Sequence, residues 1–225
     1  MHIPDGYLGP TTCGFFYVVM APIWAIASKI VKKTLSAKQV PLLAIGAAFS
    51  FVIMMFNVPI PGGTTGHAVG GVLVAILLGP WAASIAITVA LVIQALLFGD
   101  GGITAIGANC FNMAFVLPFV GYYIYKAISY DSSVNSNRRV VAAGIAGYLG
   151  INVAAALAGI EFGVQPLLHH AANGQALYCP YGLNVALPTM LGEHLLVFGW
   201  VDAIVTALVI KYLQKQAPEL LYKVS

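Results

Sequence analysis

Long runs without a charged side chain dominate this sequence, and they recur at the length a bilayer demands. A hydrocarbon core about 30 Å thick needs roughly 17–25 apolar residues per helical crossing, and such stretches occur about seven times. They are Thr12–Val31, Val40–Val58, Thr65–Leu78, Trp81–Phe98, Ile103–Ile128, Val140–Phe162 and Leu187–Tyr212. Only 8% of the 225 residues are charged, where a soluble domain carries about a quarter. The expected fold is all-α: a polytopic integral membrane protein with about seven transmembrane helices, forming a single transmembrane domain over residues 1–225. Gly79-Pro80 breaks the third stretch from the fourth, because a proline inside one continuous helix would interrupt it.

Basic residues give the orientation. Lys29, Lys32, Lys33 and Lys38 surround the first connection, Lys126, Arg138 and Arg139 flank the fifth span, and Lys211, Lys215 and Lys223 follow the last. With seven spans all ten fall on one side, so the N-terminus is expected outside and the C-terminus in the cytoplasm. No basic n-region precedes an apolar run, so no signal peptide is expected and Met1 should be the mature first residue. The outer face then holds residues 1–10, a loop at 57–71, the Gly99–Gly102 turn and a long loop at 163–186. Cys13, Cys110 and Cys179 lack C-x-x-C spacing, so neither a disulfide framework nor a thiolate zinc site is expected.

The chemistry concentrates at the outer face. Met1-His2-Ile3-Pro4-Asp5-Gly6-Tyr7 places a free amine next to a histidine. The amine and the deprotonated His2 backbone nitrogen close a five-membered ring on a metal, and that nitrogen with His2 Nδ1 closes a six-membered one. Three such nitrogens are nearly coplanar, and a fourth completes the square that Ni(II) and Cu(II) favour and tetrahedral Zn(II) does not. The fourth is expected from His67, on the glycine-rich stretch Asn57–Gly71.

These residues carry a resemblance. Met1-His2-Ile3-Pro4-Asp5-Gly6, the Val58-Pro59-Ile60-Pro61-Gly62-Gly63-Thr64-Thr65-Gly66-His67 loop and the seven-span plan resemble the CbiM/NikM family, the substrate-binding components of energy-coupling-factor transporters for cobalt and nickel. The resemblance implies a metal site made by the Met1 amine, the His2 backbone nitrogen and imidazole, and the His67 imidazole. The Pro4-Asp5 variant of the opening motif inclines the metal towards Ni(II) over Co(II), again by resemblance. It further implies a transmembrane T component and two cytoplasmic ATPases as partners, with a small accessory membrane subunit as a further candidate. Neither an organic cofactor nor a nucleic-acid partner is expected. The chain has no G-x-x-x-x-G-K-[ST] phosphate loop, in line with ATP hydrolysis by partner subunits.

Candidates for orienting the imidazoles are Asp5, Thr64, Thr65, Asn109, Asn112, Glu193 and His194. Asp202 lies mid-span, where an unpaired charge costs about 2.5–3.5 kcal/mol, so it should have a partner. His169-His170 reads as a solvated loop pair, with metal collection as the sharper alternative. Two small-residue surfaces, Ala44-Gly46-Ala47-Ala48 and Ala154-Ala155-Ala156-Ala158-Gly159, are either internal packing or, by the resemblance, a docking face for the T component. Two other functions compete. A stand-alone divalent metal permease should carry paired ionisable residues through mid-membrane, where little but Asp202 is found. An intramembrane metalloenzyme needs an open coordination position and a general base. No H-E-x-x-H or H-x-x-E-H motif is present, and no enzymatic activity is expected.

Overall fold

The computed structural model describes residues 1–60 and 64–224. Pro61, Gly62 and Gly63, part of the motif quoted above, lie outside the described residues. Seven helices form the body. They are α1 (Pro10–Thr34), α2 (Val40–Met55), α3 (Gly71–Leu78), α4 (Pro80–Phe98), α5 (Ile106–Ser129), α6 (Asn137–Gly163) and α7 (Leu183–Gln216). Proline stands within the first two positions of α1, α2 and α4, where its missing N–H costs nothing. Gly79, at φ +89°, ends α3 immediately before Pro80 opens α4, so the expected break is where the glycine-proline pair put it.

Among the described residues five stretches are long and apolar enough to cross a membrane: α1, α4, α5, residues Asn137–Leu168, and α7. At 16 residues, α2 is shorter. The expected third span is not a helix through its length. Only eight residues of it, α3, are helical, about 12 Å at the usual rise. Ahead of it Thr64–Gly66 is extended and pairs antiparallel with Val58–Ile60, Val58 facing Gly66. Three glycines and two threonines in the eight residues before α3 explain the difference, since both types favour extended or irregular chain over helix.

An irregular backbone in this position must be satisfied by protein rather than by water or lipid. Residues 66–76 are all buried. Their partner is Asp202 of α7, whose Oδ2 accepts from Val69 N–H at 2.9 Å and Gly70 N–H at 3.0 Å, while Thr206 Oγ1 donates to Oδ1 at 3.3 Å. This carboxylate fastens the chain between His67 and α3. Gly70 is left-handed there (φ +70°), and a Cβ would lie 2.4 Å from the Phe49 ring.

Helix α6 is the hub, packed on α3, α5 and α7. Its Ala142, Ala143, Ala146, Ala154, Ala155 and Ala158 are fully buried, and a Cβ on Gly159 would meet Leu187 Cα at 2.9 Å. The small-residue surface of the sixth span is therefore internal packing. That of α2 is divided, for Gly46 and Ala47 pack towards Val74 while Ala44 and Ala48 are exposed. At one end of the bundle the 130–136 connection meets the C-terminal residues: Arg139 donates to Leu221 O at 3.1 Å, Lys211 to Asn137 Oδ1 at 2.7 Å, and Gln214 to Val134 O at 2.8 Å. The opposite end gathers residues 1–9, 99–105 and 164–182, joined by bonds such as Gly102 N–H to Ile3 O and Cys179 N–H to Tyr7 O. All three cysteines are buried and free.

Replacing Asp202 by alanine strands two buried N–H donors, each costing about 1–3 kcal/mol when unsatisfied. We expect Asp202→Ala to lower the melting temperature in detergent by several degrees and to abolish metal binding by freeing the His67 segment. An unaltered thermal melt with metal affinity retained would show that Asp202 does not hold this chain.

Candidate metal centre

The first three residues of the N-terminal segment are buried in the protein, and the chain surfaces at Asp5 and Gly6 before it is covered again at Leu8. Met1 is 1% exposed, His2 3% and Ile3 0%. Asn109 grips Ile3 on both sides, Oδ1 accepting its N–H at 2.8 Å and Nδ2 donating to its carbonyl at 3.1 Å. Gly102 N–H donates to the same carbonyl at 2.8 Å. A Cβ at Gly102 would fall 2.4 Å from Asp5 N, so the 99–102 turn reaches the segment only through glycine. Asp5 accepts from the backbone N–H groups of Ile103, at 3.1 Å, and Thr104, at 2.9 Å, and from the Thr104 hydroxyl. These donors hold the Asp5 carboxyl below its ordinary range, against the opposing desolvation. Further along, Cys179 N–H donates to Tyr7 O at 3.1 Å and Gly9 N–H to Gln165 Oε1 at 2.9 Å.

His2 and His67 meet at the end of this clamp, with ring centroids 4.5 Å apart and planes inclined by 34°. Each ring has one nitrogen engaged and one bare. His2 Nε2 donates to Gln94 Oε1 at 3.2 Å, and Gln94 is oriented by its amide nitrogen facing Phe51 O. His67 Nδ1 donates to Ala68 O at 3.1 Å. The bare nitrogens, His2 Nδ1 and His67 Nε2, are buried and have no hydrogen-bond partner among the described residues. His2 Nδ1 is 3.5 Å from Asp100 Oδ1, beyond hydrogen-bond geometry. Nδ1 is the His2 nitrogen that a chelate through the backbone requires, and the tautomer that leaves it free is set by Gln94.

Burial also decides protonation. Desolvation brings the Met1 amine from 8.0 down to about 5, against the pull of Glu193 and Asp100, and His2 from 6.5 down to about 3. Asp100 is pushed up by burial. The site is thus a pocket of neutral nitrogen lone pairs at pH 7. Among the described residues no group of three or more His, Cys, Asp or Glu side chains could hold a metal. Any site here must take donors from the main chain, which the amine and the His2 nitrogen can supply. The donor set suits a borderline cation that accepts nitrogen.

The remaining candidates divide. Thr64 Oγ1 donates to His2 O at 3.1 Å and so steadies the chelating residue directly. Asp5 and Asn109 act on the segment's backbone rather than on an imidazole. Asn112 donates to Glu161 Oε2 at 2.9 Å and touches neither ring. Thr65 Oγ1 is buried without a partner. His194 Nδ1 donates to Met190 O at 2.8 Å, leaving Nε2 bare and buried, within electrostatic reach of His67. His169 packs on Gly9 and Tyr178, with Nε2 3.0 Å from the Thr11 hydroxyl, so it fastens the outer loop to the start of α1. Gln94, Gln165 and Thr104 are missing from the sequence reading. For Gln94 a signal existed, a lone amide in an apolar span, which by its cost marks a partner.

A bundle of apolar helices, five of them long and apolar enough to cross a membrane, with a buried chain terminus and two facing imidazoles, defines a multi-pass membrane protein. Comparison with known proteins agrees. Residues 2–220 match the family described as CbiM, cobalt uptake substrate-specific transmembrane region, and the chain belongs to it. It is 54% identical to the fused nickel transport protein NikMN of Rhodobacter capsulatus, over 98% of this chain and 64% of that one. It is 53% identical to a protein named "Probable fused nickel transport protein LarMN" from Lactiplantibacillus plantarum, over 99% of this chain and 67% of that one. The chain thus spans about two thirds of these fused relatives. A crystal structure of a truncated transition metal transporter, 57% identical, superposes with a TM-score of 0.91 over 96% of this chain and 99% of that one. The protein is a multi-pass membrane protein of a metal transport family, and its relatives are named transporters, not enzymes.

Gln94→Leu keeps the volume and removes the acceptor that sets the His2 tautomer. Loss of such a partner typically costs 10- to 100-fold in metal affinity. We expect a fall of roughly that size in calorimetric titration with nickel chloride, with an unchanged melting temperature; parent-like affinity would show that Gln94 does not orient His2.

Proposed function

We propose that this chain is the substrate-binding subunit of an ATP-driven importer of the energy-coupling-factor type. It captures Ni(II), with Co(II) as the second cargo, at a square-planar all-nitrogen site on its outer face. The donors are the Met1 amine, the His2 backbone nitrogen, His2 Nδ1 and His67 Nε2. The observation that carries this reading is the pair of bare, buried imidazole nitrogens set against a buried chain terminus. The segments involved are the N-terminal residues 1–10 and the outer loop 57–71, with the 163–186 loop closing over them. Nickel is favoured by the names of the relatives at 53–54% identity, while the family description speaks of cobalt. A transmembrane T component and two ATPases would supply the coupling, and the exposed Ala44 and Ala48 face of α2 is the small-residue surface left for docking. The additional third of the fused relatives leaves room for an accessory subunit as partner.

The terminal amine gives the decisive test. One residue added before Met1 turns that amine into an amide, while His2, His67 and the helices remain. A two-histidine site should lose little, whereas a fused chelate collapses. We expect a verified, uncleaved N-terminal extension to abolish nickel binding and a C-terminal tag to leave it intact. Undiminished affinity in the extended protein would remove the Met1 amine from the site.

Proton release checks the backbone ligand. The buried amine, at about 5, and His2, at about 3, are already neutral at pH 7, so the His2 amide proton is the one left to displace. Calorimetry in two buffers at pH 7 should report about one proton per nickel; release near zero would mean the amide keeps its proton. The pH dependence has a definite sign. Both groups have lower values folded than free, so docking of the terminus is unpenalised above pH 8. It weakens as pH falls from 8.0 towards 5 for the amine and from 6.5 towards 3 for His2. Nickel affinity should fall with it.

A further inference from the structure

The turn at 99–102 comes close to His2 through glycine. Gly99 and Gly101 are left-handed (φ +66° and +87°), and a Cβ on Gly101 would lie 3.1 Å from His2 Cδ2. Between them Asp100 donates its N–H to Gln94 O at 3.1 Å, so the residue that holds His2 Nε2 also holds Asp100. Asp100 Oδ2 accepts from Asn57 Nδ2 at 3.3 Å. Asn57 directly precedes Val58, which faces Gly66, the residue before His67. One carboxylate thus joins the strand pair that leads to His67 with the turn that backs His2. Its other oxygen, Oδ1, lies 3.5 Å from His2 Nδ1. Among the described residues no other carboxylate comes within 4.0 Å of the Met1 amine or of a nitrogen of His2 or His67. The Asp100 side chain is 17% exposed against 3% for His2, so it reaches the solvent edge that the bare nitrogen does not.

The contact between Oδ1 and Nδ1 brings two lone pairs together. Gln94 Oε1 can only accept, so the neutral His2 ring carries its proton on Nε2 and Nδ1 has none to give. A carboxylate oxygen facing an unprotonated imidazole nitrogen is unfavourable, yet the fold holds the two there from both sides, through Asn57 and through Gly101. Positive charge is what makes such a pair favourable. The divalent cargo on the four proposed nitrogens supplies it. With the amide proton lost to solvent, the complex retains one net positive charge, and burial leaves that charge in need of an anion nearby. We infer that Asp100 is the charge partner of the loaded site: its carboxylate stays outside the nitrogen square and balances the cation bound at His2 Nδ1. The inference rests on the donor set proposed above. The empty site carries a repulsion that the cargo relieves, so what Asp100 contributes is charge rather than packing.

Charge and packing predict opposite effects of Asp100→Asn on the empty protein. The amide keeps the volume and an oxygen for Asn57 and removes the repulsion, so the metal-free melting temperature in detergent should equal the parent's or exceed it. Nickel chloride titrated calorimetrically into the full chain with a native N-terminus should nevertheless bind about 10- to 100-fold more weakly, the scale for losing an outer partner of a metal ligand. Asp100→Ala should lose a similar factor, which separates the missing charge from any new bond between the amide and Nδ1. Asp100→Glu restores the charge and should bind more tightly than either neutral variant. In nickel-minus-empty infrared difference spectra the parent should show an ionised carboxylate band that disappears in Asp100→Asn and shifts in Asp100→Glu. Parent-like affinity in either neutral variant, or a protonated Asp100 in the loaded protein, overturns the inference. So does an Asp100→Asn protein that melts lower when empty and binds more weakly, since that is the pattern of lost packing. Where the neutral variants do not fold, the parent and Asp100→Glu spectra decide alone. The donor set is judged separately, by the parent's optical spectrum. A parent without the square-planar spectrum but with these Asp100 effects loses the donor set and keeps the charge partner, and a square-planar parent with unaffected variants does the reverse.

Discussion

The end of this protein that carries the N-terminus depends on the pairing of Asn109 with the backbone of Ile3. A chain terminus normally frays, since its amine is strongly hydrated and its first residues have no ladder to join. Asn109 substitutes for a neighbouring strand, giving Ile3 one acceptor and one donor in the geometry of a peptide group. With Gly102 donating to the same carbonyl, the third residue is fixed, and the two before it have little freedom left. Only then can burial neutralise the amine and place it beside two imidazoles. The coordination chemistry proposed here would then rest on one amide side chain that is not itself among the proposed ligands.

The side chains that build this region come from irregular turns of otherwise regular helices. Gln94 opens the π turn 94–98, Asn109 directly precedes the π stretch 110–116, and His194 opens the turn 194–198. Each residue of an α-helix is rotated about 100° from the last, so one extra residue in a turn swings all that follows to a new face. Such π turns are rare and are frequent at functional sites. Here they carry or adjoin Gln94, Asn109 and His194, the side chains that surround the N-terminal segment and the two imidazoles.

Much of this was legible from the residues alone. The apolar runs, the Gly79-Pro80 break and the one-sided lysines follow from composition and spacing, because helix length and charge placement are one-dimensional constraints. His2 stood out because an amine one residue from a histidine has a fixed chelate geometry whatever the fold, and the structure sets its ring 4.5 Å from that of His67. The third span misled, since Thr65–Leu78 has the hydropathy of a helix while its glycines and Asp202, over a hundred residues distant, keep its first six residues out of the helix. Asp202 was visible as a group needing a partner, but a partner made of two backbone N–H groups leaves no trace in sequence. Gln94 and Asn109 likewise act through contacts that only the packing of α4 and α5 creates.

The proposed donor set has a consequence for selectivity that follows from its rigidity. The amine and the amide nitrogen belong to adjacent residues, and the clamp on Ile3 prevents them from splaying apart. A square arrangement therefore cannot relax towards a tetrahedron, which disfavours zinc by geometry although zinc and nickel are close in intrinsic affinity. Copper accepts the same square and stands higher in the Irving–Williams order, so geometry gives no protection against it. Discrimination against copper must then come from supply outside the cell, because neither the number, the type nor the placement of the nitrogens disfavours it. Cobalt, one step below nickel and less committed to the square, is left as the weaker-bound cargo of a site whose shape was set before any metal arrived.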